Sequence, residues 1–134
     1  MAKVQSLFGH EDFGFSLAWH PSGTMLATGN QDQTCKVWDM RAPSYCLKTL
    51  NCLMGAAAHI KFPSDDRLVF SETVDHVQIF DTKTFTQHQD IDVFGEITGF
   101  DTWEDRLFIG VKEEPNLSCI MEYFADTKPR DDLS

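Results

Sequence analysis

The chain has 134 residues, is 42% hydrophobic and carries a formal net charge of -10. That is enough for one domain with a real core and excludes a disordered chain, while no apolar run is long enough to cross a bilayer as a helix. The acid is uneven: residues 1–89 carry nine acids and seven bases, and residues 90–134 carry twelve acids and four bases, so the last third is a poor match for a phosphate backbone.

The N-terminal MAKVQSLFGH lacks the apolar stretch of a secretory signal, which points to the cytoplasm or nucleus and to four reduced cysteines. Residues 4–8 read as a strand that closes an earlier unit, so 1–8 is set apart. The chain then repeats itself. Residues 15–39, 58–81 and 97–124 share one internal order. An apolar strand ends near an aromatic residue, Trp19, Phe62 and Phe100 in turn. A polar turn follows: Pro21-Ser22-Gly23, then Pro63-Ser64-Asp65-Asp66, then residues 101–105. A second apolar strand comes next, and a third ends near Trp38, Phe80 and Tyr123, at spacings of 42 and 43 residues. Residues 46–50, and more weakly 86–90, offer a fourth strand for the first two units.

No helical periodicity persists for ten residues. Short strands at regular spacing predict an all-β chain, and a period just over forty suits one propeller blade. The expected units are 9–50, 51–94 and 95–125, followed by an acidic polar tail at 126–134. Three blades do not close a ring, and an open arc exposes an apolar face at each end. The chain is therefore expected to be a piece of a larger, seven-bladed propeller, a truncated remnant without independent function, or a component that needs missing blades or another chain for closure. In isolation it should be marginal or aggregate.

Gly9-His10, followed after 27 residues by Trp38-Asp39, resembles the WD-repeat signature. The words GNQDQTCKVWD, DIDVFGEITGF and LFIGV are also similar to the C-terminal part of a group of plant and fungal WD-repeat-containing proteins of uncharacterised function. The resemblance implies a partial β-propeller of about three four-stranded blades. It also implies a buried structural tetrad of His10, Thr28, Asp32 and Trp38. The physical case is that a turn carboxylate can fix an imidazole, which can bond the hydroxyl, and a buried indole N–H needs an acceptor. The second unit has Gly55-Ala56 for Gly-His and Phe80-Asp81 for Trp-Asp, and its Asp75 lies one place closer to the aromatic than Asp32 does. The third has Gly95-Glu96 and no Trp-Asp. Both weaker blades are expected to rely on apolar packing and on their neighbours.

A His–Asp–hydroxyl set could also suggest hydrolysis, but Thr28 lies mid-strand and nothing supplies an accessible nucleophile with an oxyanion site. No metal-ligand spacing, phosphate loop or paired catalytic carboxylates stand out, so no enzyme activity, metal or cofactor is expected. Direct nucleic-acid and membrane binding are not expected either. What the resemblance implies is a non-catalytic scaffold for other proteins, using surface positions such as His20, Asn30, Gln31 and Arg41. A sharper option is a substrate receptor for a cullin-type ubiquitin ligase. Residues 26–41 resemble the box that binds the propeller adaptor, with Arg41 as surface anchor and Asp39 helping to place it.

Overall fold

The computed structural model describes residues 14–41, 44–104, 106–113 and 117–124. Among them there are ten strands and no helix. The first sheet runs β1 (Gly14–Trp19), β2 (Met25–Asn30), β3 (Thr34–Asp39) and β4 (Tyr45–Asn51), in that spatial order. The second begins with β5 (Ala57–Ser64), β6 (Arg67–Glu72) and β7 (Val74–Asp81) and continues through β8 (Gln87–Trp103), β9 (Arg106–Glu113) and β10 (Leu117–Phe124). Every pairing is antiparallel between chain neighbours, which is the meander of a blade. The molecule is a partial β-propeller.

β8 serves two blades. Its first half pairs with β7 and its second half with β9. Phe94 takes a positive φ of 52°, and the chain turns back there. Ile91 and Val93 before the bend and Ile97 after it line one core. The Lys61–Asp101 ion pair ties β5 to the returning half. The weak strand expected at 86–90 is therefore the start of a long bent strand. The third blade has three strands among the described residues rather than four.

Two cores separate three layers. The first holds Ala27, Cys35, Val37 and Leu50 of the first sheet against Ala57, Ile60, Leu68, Phe70 and Phe80 of the second blade. Phe70 and Phe80 stack at 5.7 Å. The second core joins Val69, Val77 and Ile79 to Leu107, Ile109 and Val111 of the third blade. The middle blade is thus apolar on both faces, which explains the near-continuous run LVF at 68–70. Gly29 permits the first contact. A Cβ there would lie 2.6 Å from the Ala57 carbonyl oxygen, so β2 can approach β5 only without a side chain at that point.

Because strands alternate in direction, the turns fall on two rims. One rim carries 20–24, 39–41, 64–66 and 81–86. The opposite rim carries 30–34, 51–56, 72–74 and 94–96.

Candidate functional site

His10 lies outside the described residues. Of the other positions singled out in the first blade, Trp38 on β3 is buried, and its indole N–H donates to Thr28 Oγ1 on β2 at 2.9 Å. Asp32 sits in the turn between those strands. Its Oδ1 accepts the Thr34 backbone N–H at 3.0 Å and the Thr34 hydroxyl at 2.5 Å, while Asn30 Oδ1 accepts the Asp32 N–H at 2.9 Å. These bonds fix the turn in place. The Thr28 hydroxyl is committed to the indole inside a packed sheet, which is a structural role.

Asp39 and Arg41 meet on the first rim. Asp39 ends β3 with a buried side chain, whereas the Arg41 side chain is 73% exposed. Arg41 Nε donates to Asp39 Oδ1 at 3.1 Å, Nη2 donates to Oδ2 at 2.6 Å, and the Arg41 backbone N–H also donates to Oδ1 at 2.9 Å. The guanidinium is therefore held in a two-point fork on a fixed carboxylate. Its side-chain bonds, then the backbone bond, hold the Asp39 carboxyl down at about 2. The result is an exposed cation whose orientation is set before any partner arrives.

Two of the expected surface positions are buried instead: His20 and Asn30. Asn30 turns inward to close the Asp32 turn. His20 bridges blades. Its Nδ1 accepts the Ser22 N–H at 3.1 Å, which leaves Nε2 to donate to the Asp65 carbonyl oxygen at 2.8 Å. The same oxygen accepts the Thr82 hydroxyl at 2.6 Å, and the His20 ring meets Phe62 edge-on at 5.1 Å. Gln31 is exposed.

The second blade, apolar on both faces, also carries a buried polar network. Glu72, fully buried at the end of β6, accepts four hydrogen bonds. Oε2 takes the Leu53 N–H at 2.8 Å and Gln78 Nε2 at 2.7 Å, and Oε1 takes the Met54 and Gly55 N–H groups, both at 2.8 Å. Gln78 Oε1 in turn accepts from Gln87 Nε2 at 3.0 Å. Asp75 takes the positive-φ place in its turn that Gln33 takes in the first blade, with φ values of 68° and 69°. It is not the counterpart of Asp32. A polar residue amid the apolar run VQIF, and a glutamate closing LVFS, were the available signals of this network.

Among the described residues, no group of three or more His, Cys, Asp or Glu side chains could hold a metal ion. Cys35 and Cys52 are free thiols raised above their usual range, Cys52 to about 12, first by burial.

Residues 1–39 match the family described as WD domain, G-beta repeat, and residues 55–92 match an uncharacterised protein domain, DUF2415. A probable cytosolic iron-sulfur protein assembly protein CIAO1 homolog of Ixodes scapularis is 38% identical over 50 residues, covering 37% of this chain and 16% of that protein. The target of rapamycin complex subunit wat1 of Schizosaccharomyces pombe is 53% identical over 36 residues, covering 27% of this chain and 12% of that protein. The nuclear distribution protein nudF 2 of Aspergillus clavatus is 27% identical over 94 residues, covering 63% and 22%. The chain thus spans less than a quarter of the length of these relatives. Among solved structures, the computationally designed Ika4 protein superposes with a TM-score of 0.78 at 19% identity, covering 92% of this chain and 74% of that one, which bears on fold alone.

Proposed function

We propose that this chain, a partial β-propeller built on a WD repeat, is a non-catalytic protein-interaction scaffold of the cytoplasm or nucleus. The observation that carries this reading is the pre-set Arg41 fork. A charged side chain that is 73% exposed yet fixed at two points by a buried carboxylate suits recognition, because little side-chain freedom is lost when a partner binds. The Thr28 hydroxyl, the His20 imidazole and the Glu72 carboxylate, by contrast, are engaged in holding strands and turns. One of the relatives is by its name a subunit of a complex, which suits a scaffold.

The finer reading makes Arg41 the anchor for the propeller adaptor of a cullin-type ubiquitin ligase, with this protein as substrate receptor. It draws its support from the Trp38-Asp39-Met40-Arg41 run and from the way Asp39 aims the guanidinium. The test is co-purification of the adaptor with the full-length protein. Arg41→Ala and Arg41→Lys should both lose the adaptor, since lysine cannot copy the fork. Undiminished capture by Arg41→Ala would refute the anchor.

A further inference from the structure

The rim opposite Arg41 gathers large apolar side chains that the fold leaves in water. Leu53 is 54% exposed, Met54 61%, Val74 37% and Phe94 77%. They come from three different connections, 51–56, 72–74 and the bend of β8, so topology rather than one loop brings them to this rim. Gly55 and Val74 are adjacent: a Cβ on Gly55 would lie 3.5 Å from Val74 Cγ2. Val74 faces Glu96 across β7 and β8, two residues beyond Phe94.

All three segments that present these side chains have pinned backbones; in 72–74 the Thr73 N–H donates to the Ala56 carbonyl oxygen at 3.0 Å and the Thr73 carbonyl oxygen accepts the Ile97 N–H at 3.1 Å. Glu72 holds the N–H groups of Leu53, Met54 and Gly55 from beneath, and Asp92 Oδ1 accepts the Phe94 N–H at 3.0 Å. Exposed apolar groups on loops that cannot swing inward remain exposed, and such groups act as anchors when a partner covers them. One side of the patch is acidic. Asp75 follows Val74, Asp92 bonds the Phe94 N–H and Glu96 faces Val74, while the bases beside them are Lys112, opposite Glu96 in register, and His76, opposite Asp92.

We infer that this rim is a second docking surface, and that its occupant is a peptide segment of another protein with apolar anchors flanked by lysine or arginine. Apolar contact supplies the affinity, and the carboxylates select a basic flank and disfavour anionic surfaces. The inference rests on the scaffold reading but concerns the rim that Arg41 does not occupy.

The test is selection from a displayed library of random twelve-residue peptides on the 134-residue chain, followed by titration of the enriched peptides. Enrichment of Leu, Phe or Trp beside Lys or Arg is expected. The double variant Met54→Ser/Phe94→Ser should weaken these peptides at least tenfold while leaving the thermal melt unchanged. Asp92→Asn/Glu96→Gln should weaken them several-fold and flatten their salt dependence. Failure to enrich any peptide, enrichment of acidic peptides, or binding indifferent to both variants overturns the inference. Peptides lost instead with Arg41→Ala would overturn it while sparing the scaffold reading. Self-association of the chain that disappears in Met54→Ser/Phe94→Ser would also overturn it, by making a second copy the occupant.

Discussion

Replacing Glu72 by glutamine keeps the shape of the most connected buried side chain in the second blade and removes its charge. The carboxylate accepts two hydrogen bonds on each oxygen. An amide keeps one acceptor and turns an NH2 toward two donors, whichever way it is placed. With the oxygen left at Met54 and Gly55, the NH2 faces the Leu53 N–H and Gln78 Nε2. A paired flip of the Gln78 and Gln87 amides recovers one of those contacts, because Gln87 is exposed. One buried donor stays opposed, and the two surviving bonds lose their charge assistance. Hydrogen bonds to charged groups contribute about 1.5–3 kcal/mol each, so Glu72→Gln should cost about 2–4 kcal/mol. Native domains are stable by only about 5–15 kcal/mol and an open three-blade arc is expected at or below the low end, so that cost is a large fraction. In equilibrium urea unfolding, the midpoint should fall by about 1 M or more at an ordinary denaturant slope. A midpoint within about 0.3 M of the parent would refute the argument that this carboxylate clamps the 53–55 turn.

Three further outcomes follow from the geometry. Thr28→Val removes the acceptor of the buried Trp38 indole without changing shape, and chemical denaturation should show a loss of about 1–3 kcal/mol. Gly29→Ala forces a methyl toward the Ala57 carbonyl and should cost about 1–3 kcal/mol, whereas Gly99, where a Cβ meets nothing within 4 Å, should tolerate alanine with far less loss. For His76, burial opposes the charged form, but the hydrogen bond and charge of Asp90, aided by Glu72 and Asp92, outweigh it and raise the pKa. Its folded value lies above the unfolded value of about 6.5, so the stabilisation is full below that pH and is lost as pH rises through the folded value. His76→Gln should therefore flatten the melting temperature measured between about pH 6 and 8.

The fold was legible because the repeat is carried by features that local physics dictates. Trp38, Phe80 and Tyr123 end strands at a fixed period, and Pro21-Ser22-Gly23 is a turn by composition, with Gly23 at a φ of 78°. The polar supports of the second blade were partly hidden for a physical reason. Gln78 in VQIF and Glu72 after LVFS mark polar groups in apolar runs, but Glu72 is bonded mainly to main-chain N–H groups of residues 53–55, and a side-chain pattern does not name such partners. His20 misled in the same way. A histidine before proline at a turn reads as exposed until the Asp65 carbonyl of the next blade, 45 residues away, supplies its partner. The bend of β8 rests on a positive φ at Phe94, a bulky residue that gives no turn signal. The Asp39–Arg41 fork could be anticipated because its partners are two residues apart.

If the fold works by presenting its two rims to other proteins, partners should be found at the rims and not at the sheet edge. The most direct measurement is photo-crosslinking in cells with a reactive amino acid placed singly at Arg41, at Met54 and at Lys48, an exposed position within the β4 edge strand. Discrete protein adducts are expected from the two rim positions and only background from Lys48. Equal labelling at all three positions, or none at either rim, would contradict that role for the rims.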